Sequence, residues 1–200
     1  MGEAFPVSEN YGGLVYGNLK EQIQPVAAQR IIIVDGPDGC GKTEISRALS
    51  RELGVPYFKM AAAERLNWYN GTFLEELRYG ERRQVELFRQ LGMSAVIDRG
   101  YPSEWVYSKV FGRKTDERAL EQFDSDYAAL DAVIVMPLRK DYSRNRHDDL
   151  VPNNRLVEIH GAYVAFAKWT SCRVITLMVD ELGEDIDREL AEIYRGMAGV

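Results

Sequence analysis

Residues 31 to 43 read Ile31-Ile32-Ile33-Val34-Asp35-Gly36-Pro37-Asp38-Gly39-Cys40-Gly41-Lys42-Thr43, and the fold follows from this stretch. Ile31 to Val34 are four consecutive apolar, β-branched residues, the pattern of a parallel strand buried on both faces. A glycine-rich turn follows. Ile45, Ala48, Leu49 and Leu53 then recur at helical spacing. Gly36, Gly41, Lys42 and Thr43 complete the pattern G-x-x-x-x-G-K-[ST] in the strand–turn–helix setting it requires. Glycines let backbone N–H groups curl around phosphate oxygens, and the helix N-terminus adds partial positive charge. Lys42 is expected to reach the outer phosphates and the Thr43 hydroxyl to ligate magnesium. The expected cofactor-binding set is therefore Gly36, Asp38, Gly39, Cys40, Gly41, Lys42, Thr43 and Glu44. The stretch is not a dinucleotide fingerprint, because Glu44 stands where that motif has glycine or alanine.

At 200 residues and 46% hydrophobic, the chain is sized for one domain with a substantial core. A net charge of −6 gives the bulk surface no attraction for nucleic acid or an anionic membrane, although a local basic groove could still serve a DNA acceptor. Cys40 and Cys172 make no disulfide framework. No apolar run approaches a membrane span, and no basic start followed by an apolar stretch marks a leader. These features fit a cytoplasmic protein without membrane association.

Residues 1–29 read as an N-terminal extension strapped irregularly over the domain edge, and residues 30–200 as the domain. Beyond the first helix, Gly54 is a C-cap and Val55 to Met60 a short second strand. Thr72 opens a helix to about Leu91, with Val85, Phe88 and Leu91 on its apolar side and a bend allowed at Gly80. Met93 to Ile97 is a third strand, Ala132 to Met136 a fourth and Arg173 to Val179 a fifth. Helices with the stripes Leu120-Phe123-Tyr127, Leu156-Ile159-Tyr163-Phe166 and Ile186-Leu190-Ile193 intervene. Strands and helices alternate, so the expected architecture is α/β: a three-layer sandwich with a five-stranded parallel sheet covered on both faces.

In such sheets ligands sit outside the carboxyl ends of the strands. The loop leaves the first strand there, and Asp98-Arg99 leaves the third. A carboxylate beside a phosphate cradle can serve magnesium or take a proton from an attacking hydroxyl. An arginine beside it can bind the acceptor's phosphate or the migrating group. Arg144 and Arg146 fall where a basic loop would close over the nucleotide, while Arg139 and Lys140 read as solvated. Cys40, at a helix N-terminus beside Lys42, reads as a thiolate-favouring site, the alternative being a buried, inert thiol. Trp105 reads as core or loop packing, with lining of an acceptor pocket near Asp98 as the alternative, and His147 and His160 are too far apart for a metal pair.

The motifs Asp35-Gly-Pro-Asp-Gly-Cys-Gly-Lys-Thr43, Asp98-Arg99 and Arg144-x-Arg146 resemble the thymidylate kinase group of nucleotide kinases, in order over residues 30 to 196. The resemblance implies the P-loop NTPase fold, ATP and Mg2+ as cofactors, Asp38 near the acceptor sugar and Arg99 on its phosphate. It also implies a LID at about 138–152 that carries Arg144 and Arg146. Neither Gly39 nor Cys40 is a P-loop arginine, which resembles the subtype whose catalytic arginine lies in the LID. The run Asp98-Arg-Gly-Tyr-Pro-Ser-Glu-Trp-Val-Tyr107 resembles divergent, often phage-encoded members, some of which phosphorylate hydroxymethyl-pyrimidines in DNA. Between Lys42 and Asp98 the chain looks shorter than the family by about one helix, leaving Phe73, Tyr69 and Gln84 as candidates against the base.

The catalytic set is accordingly Lys42, Asp98, Arg99, Arg144 and Arg146, with Thr43 and Asp98 as metal ligands. The leading reading is ATP-dependent phosphoryl transfer to a small-molecule acceptor, a deoxynucleoside monophosphate. A DNA base or a free nucleoside is the alternative acceptor, so nucleic acid remains a candidate partner, as does a second copy of the chain. A non-catalytic nucleotide-binding regulator is the other class. Against it, Asp180-Glu-Leu-Gly183 spells D-x-x-G only after the last strand and no N-K-x-D follows.

Overall fold

Four apolar residues without a polar interruption make β1 (Ile31–Val34), and it lies at the centre of the sheet. The structure is a computed structural model and describes residues 29–59, 72–142, 153–179 and 186–198, with backbone alone for 72–78 and 153–154. Within these, the chain continues through α1 (Lys42–Leu53), β2 (Tyr57–Lys59), α2 (Thr72–Leu91), β3 (Ala95–Asp98), α3 (Tyr101–Phe111) and α4 (Glu117–Ala128). It ends with β4 (Val133–Leu138), α5 (Asn153–Trp169), β5 (Arg173–Met178) and α6 (Ile186–Ala198). The sheet order is β2-β3-β1-β4-β5, and every pairing is parallel. Residues 1–28, most of the expected extension, and the larger part of the expected LID lie outside the described residues. Gln29 does not: its amide donates to the carbonyls of Phe88 and Met93 at 3.0 and 3.1 Å and ties the entry of β1 to the end of α2.

The register places the functional strand ends side by side. Val34 pairs with Asp98, so β1 and β3 stop level and the loop leaves one as Arg99 leaves the other. β4 runs two residues beyond its expected end at Met136 and includes Pro137. A proline is tolerated inside this strand because β1 has already turned away: its pairing with β4 ends at Val34–Val135, and Pro137 pairs with Leu177 of β5 alone. The Pro137 carbonyl faces Gly36, where a Cβ would sit 2.5 Å from that oxygen, so only glycine fits the first position of the loop.

α1 and α6 pack together on one side, and α3 packs against α4 and α5 on the other. Trp105 is core: its ring meets Phe166 edge-on at 5.5 Å between centroids and lies tilted against Trp169 at 5.4 Å, joining α3 to α5. Val85 and Phe88 are buried as their spacing predicts, but Leu91 is 65% exposed. It occupies the last turn of α2, which Gly92 ends in a left-handed conformation, and no described residue covers it there. α2 passes through Gly80 as one continuous helix.

Candidate phosphate-binding site

The loop from Asp35 to Gly41 is closed by two glycines at positive φ, Gly39 at 77° and Gly41 at 70°, the latter serving as N-cap of α1. Lys42 opens the helix. Its side chain is buried rather than solvent-facing: Nζ donates to the Pro37 carbonyl at 2.6 Å and lies 3.6 Å from Asp38 Oδ1. Burial pushes its pKa down, and the Arg99 charge adds to the effect.

The next residue meets Asp98. Thr43 Oγ1 donates to Asp98 Oδ2 at 2.7 Å, bringing together the two expected metal ligands. Tyr57, at the start of β2, donates its hydroxyl to the same oxygen at 2.8 Å, and burial, then Asp98, raises its pKa to about 12. Asp98 Oδ1 is buried and has no hydrogen-bond partner among the described residues. A carboxylate oxygen left open beside a threonine hydroxyl suits magnesium, which keeps several waters and takes one or two protein oxygens together with phosphates. No cluster of three His, Cys, Asp or Glu able to hold a metal occurs among the described residues, and magnesium handled in this way needs none.

A second group lies at the outer edge of the loop. Arg99 pairs with Asp38 and donates to Ser103 Oγ at 3.4 Å, with about a quarter of its side chain exposed. Tyr107 of α3 donates to the other Asp38 oxygen at 2.6 Å. Burial alone would raise Asp38, but the charges of Arg99 and Lys42 outweigh it and hold the carboxyl below its usual range. Arg99 adopts φ 70°, an uncommon conformation for a residue with a Cβ, and the surrounding contacts hold it there.

Asp35 joins the loop to the Gly100–Ser103 segment that follows Arg99. This fully buried carboxylate accepts from Gly36 N (2.8 Å), Gly100 N (3.1 Å), Ser103 N (3.0 Å), Ser103 Oγ (2.8 Å) and Tyr163 Oη (2.8 Å). It therefore ties the loop to the first turn of α3 and to α5. Burial raises its pKa despite these donors and the nearby cations. Glu81 of α2 is equally buried, accepts from Tyr127 at 2.7 Å, and is pushed up to about 7 by burial.

Cys40 and Arg139, like Lys42, are buried where the sequence reads as accessible. Cys40 is 1% exposed, with Sγ 3.9 Å from Tyr142 Oη, and burial raises the thiol's pKa where a helix N-terminus was expected to lower it. Arg139, expected in solvent, is 7% exposed and donates to the Gly39 carbonyl at 3.4 Å, because the extended β4 carries it back against the loop. The remaining expected residues divide as follows. Gly36, Asp38, Gly39, Gly41, Lys42 and Thr43 form the loop and helix start, Glu44 is exposed on the first turn of α1, and Asp98 and Arg99 face the loop. Arg144, Arg146, His147, Tyr69 and Asp180–Gly183 lie outside the described residues, as does the Phe73 side chain. Gln84 faces Tyr127, whose hydroxyl reaches its Oε1 at 3.4 Å. No motif spacing marks Tyr57 or Arg139 as a site residue, and Tyr107 lies in the run from Asp98 to Tyr107 without any role the run assigns to it. No helix among the described residues is long and apolar enough to cross a membrane.

Fold and loop together define a P-loop NTPase-type α/β protein. Its fold is that of the thymidylate kinase-like P-loop proteins, as solved structures show. The YorR protein of Bacillus subtilis, in complex with phosphorylated GDP, superposes with a TM-score of 0.58 at 21% identity, over 84% of this chain and 98% of that one. Thymidylate kinase from Ehrlichia chaffeensis gives 0.56 at 16%, over 84% and 99%. Deoxyadenosine kinase from M. mycoides with bound dATP gives 0.55 at 16%, over 82% and 99%. A family model for the ATPase family associated with various cellular activities (AAA) matches residues 32–91, the loop and the elements that follow it. The Nuclear valosin-containing protein-like protein of Mus musculus is 32% identical over 136 residues, 64% of this chain and 14% of that protein. Cell division control protein 48 homolog C of Arabidopsis thaliana is 40% identical over 47 residues, 24% of this chain and 6% of its own length. The chain thus spans only a small part of these curated relatives.

Proposed function

We propose that the chain transfers the γ-phosphoryl group of ATP to a deoxynucleoside monophosphate. The observation that carries this reading is the position of Arg99. A nucleotide switch or simple ATPase needs the loop, Lys42, Thr43 and a cation-handling carboxylate. A second, part-exposed arginine held by Asp38 and Ser103 at the edge of the loop suits a second phosphate-bearing substrate.

In this reading Arg99 binds the acceptor phosphate and Asp38, steadied by Tyr107, borders the acceptor sugar. Lys42 turns from Pro37 and Asp38 to the outer phosphates and neutralises charge on the transferred group. Thr43 and Asp98 would hold magnesium, which supplies charge neutralisation across the ATP phosphates. Arg144 and Arg146 are proposed as the arginines that answer charge on the equatorial oxygens. Asp98 favours a mononucleotide over a hydroxyl acceptor. Its Oδ2 already accepts two hydrogen bonds and only Oδ1 is open, which suits a cation better than proton abstraction. A mononucleotide phosphate is ionised at neutral pH and needs no base.

The test is a screen with γ-labelled ATP against mononucleotides, nucleosides and hydroxymethylated DNA. Label transferred to a deoxynucleoside monophosphate supports the reading. Label on a nucleoside or a DNA base assigns a hydroxyl acceptor instead. Acceptor-independent release of phosphate alone, the behaviour of an ATPase, would overturn it.

A further inference from the structure

Asp98 closes β3 with a carboxylate whose two oxygens are treated differently. Oδ2 receives Thr43 Oγ1 at 2.7 Å and Tyr57 Oη at 2.8 Å, while Oδ1 is buried and open. The sheet explains how Tyr57 reaches it. Tyr57 pairs with Val96, and Asp98 lies two residues further along the same strand, so both side chains stand on one face of the sheet. α1 packs over β3 and supplies Thr43 to the same oxygen and Arg47 to the tyrosine, whose ring centroid lies 6.0 Å from the guanidinium carbon.

We infer that Tyr57 is a positioning residue for the divalent cation of the phosphoryl-transfer site: its hydroxyl fixes the Asp98 carboxylate so that the open oxygen meets the metal. The inference rests on the reading of Thr43 and Asp98 as metal ligands. A threonine hydroxyl has one proton and two lone pairs, so Thr43 can bind a cation while still donating to Asp98. Its own orientation then follows the metal, and Tyr57 becomes the contact that anchors Asp98 from the protein side. Tyr57 is well suited to this, because its backbone belongs to the sheet whereas Thr43 stands in the first turn of α1, next to the nucleotide loop. Partners of this kind around a metal-binding carboxylate typically contribute about 10- to 100-fold to metal affinity.

The test uses Mn2+ as the probe and the full chain loaded with ADP, with bound metal read by electron paramagnetic resonance. Tyr57→Phe keeps the ring and removes the hydroxyl. The expected result is Mn2+ affinity for the ADP complex weakened about 10-fold, with metal-free ADP affinity and thermal midpoint close to wild type. Asp98→Asn should weaken Mn2+ at least as much, and the double variant should be no weaker than Asp98→Asn alone, since both changes remove one contact. Unchanged or tighter Mn2+ binding in Tyr57→Phe, with Asp98→Asn impaired, would overturn the role of Tyr57 and leave the metal site standing. Unchanged binding in Asp98→Asn would instead remove the metal-site reading, and this inference with it.

Discussion

Asp35 holds Ser103 twice, accepting the backbone N–H at 3.0 Å and the hydroxyl at 2.8 Å across 68 residues of chain. Replacing Asp35 by alanine would strand these donors together with Gly36 N, Gly100 N and Tyr163 Oη in a buried setting. Each stranded group costs about 1–3 kcal/mol, partly relieved by water or local movement. We expect Asp35→Ala to lose roughly 3 kcal/mol or more in urea unfolding. A loss below about 1 kcal/mol would show that the junction relaxes freely.

Arg99 and Asp98 should separate in steady-state kinetics. Arg99→Ala removes a charge-assisted contact and is expected to raise the acceptor's apparent constant about 10- to 100-fold. Asp98→Asn should leave a defect that higher magnesium partly relieves. An Asp98→Asn defect that magnesium cannot relieve, beside an unchanged acceptor constant in Arg99→Ala, would assign Asp98 as a general base for a hydroxyl acceptor.

Lys42→Met should lower turnover about 10²- to 10³-fold by removing a cation from the transferred group. Because Lys42 is buried against Pro37 and Asp38, a shift in thermal midpoint is expected as well. Near-normal turnover in the folded variant would dismiss the role of the loop lysine.

Glu81 sets a pH dependence of stability. Its folded pKa of about 7 lies above its ordinary 4.5, because burial penalises the charged form. The penalty is absent below about pH 4.5, grows as the pH rises, and is complete above about 7, so this residue makes the fold less stable in that direction. Glu81→Gln keeps an acceptor for Tyr127 and cannot ionise. Relative to wild type it should gain about 3 kcal/mol between pH 4.5 and 8, read from denaturant midpoints. A pH-independent difference would mean that Glu81 does not titrate in this window.

Cys40 should be inert in the native protein. Its thiol is buried and its pKa raised, so a thiol reagent should modify it slowly with or without nucleotide and rapidly in denaturant. Fast labelling of the native chain that nucleotide suppresses would restore the thiolate reading.

The sequence alone determined the layer architecture and the phosphate loop, because both rest on local order. Four consecutive β-branched residues closed by a glycine turn favour a buried strand, and a glycine turn before Lys42 and Thr43 needs no distant partner to be recognised. Periodicity also located β3, so Asp98 and Arg99 could be placed at a strand end. What it could not supply was depth. Lys42, Cys40 and Arg139 look exposed in a polar, glycine-rich context, yet all three are buried: Lys42 against Pro37 and Asp38 of its own loop, Cys40 beside Tyr142, and Arg139 where the longer β4 brings it to the Gly39 carbonyl. Nor could it pair residues across the sheet. Tyr57 meets Asp98 only because β2 lies at the edge beside β3 in a register that sets Tyr57 against Val96. Tyr107 meets Asp38 only because α3 starts where Asp35 anchors it. Those contacts join segments 41 to 69 residues apart, and only strand order and helix packing bring such segments together.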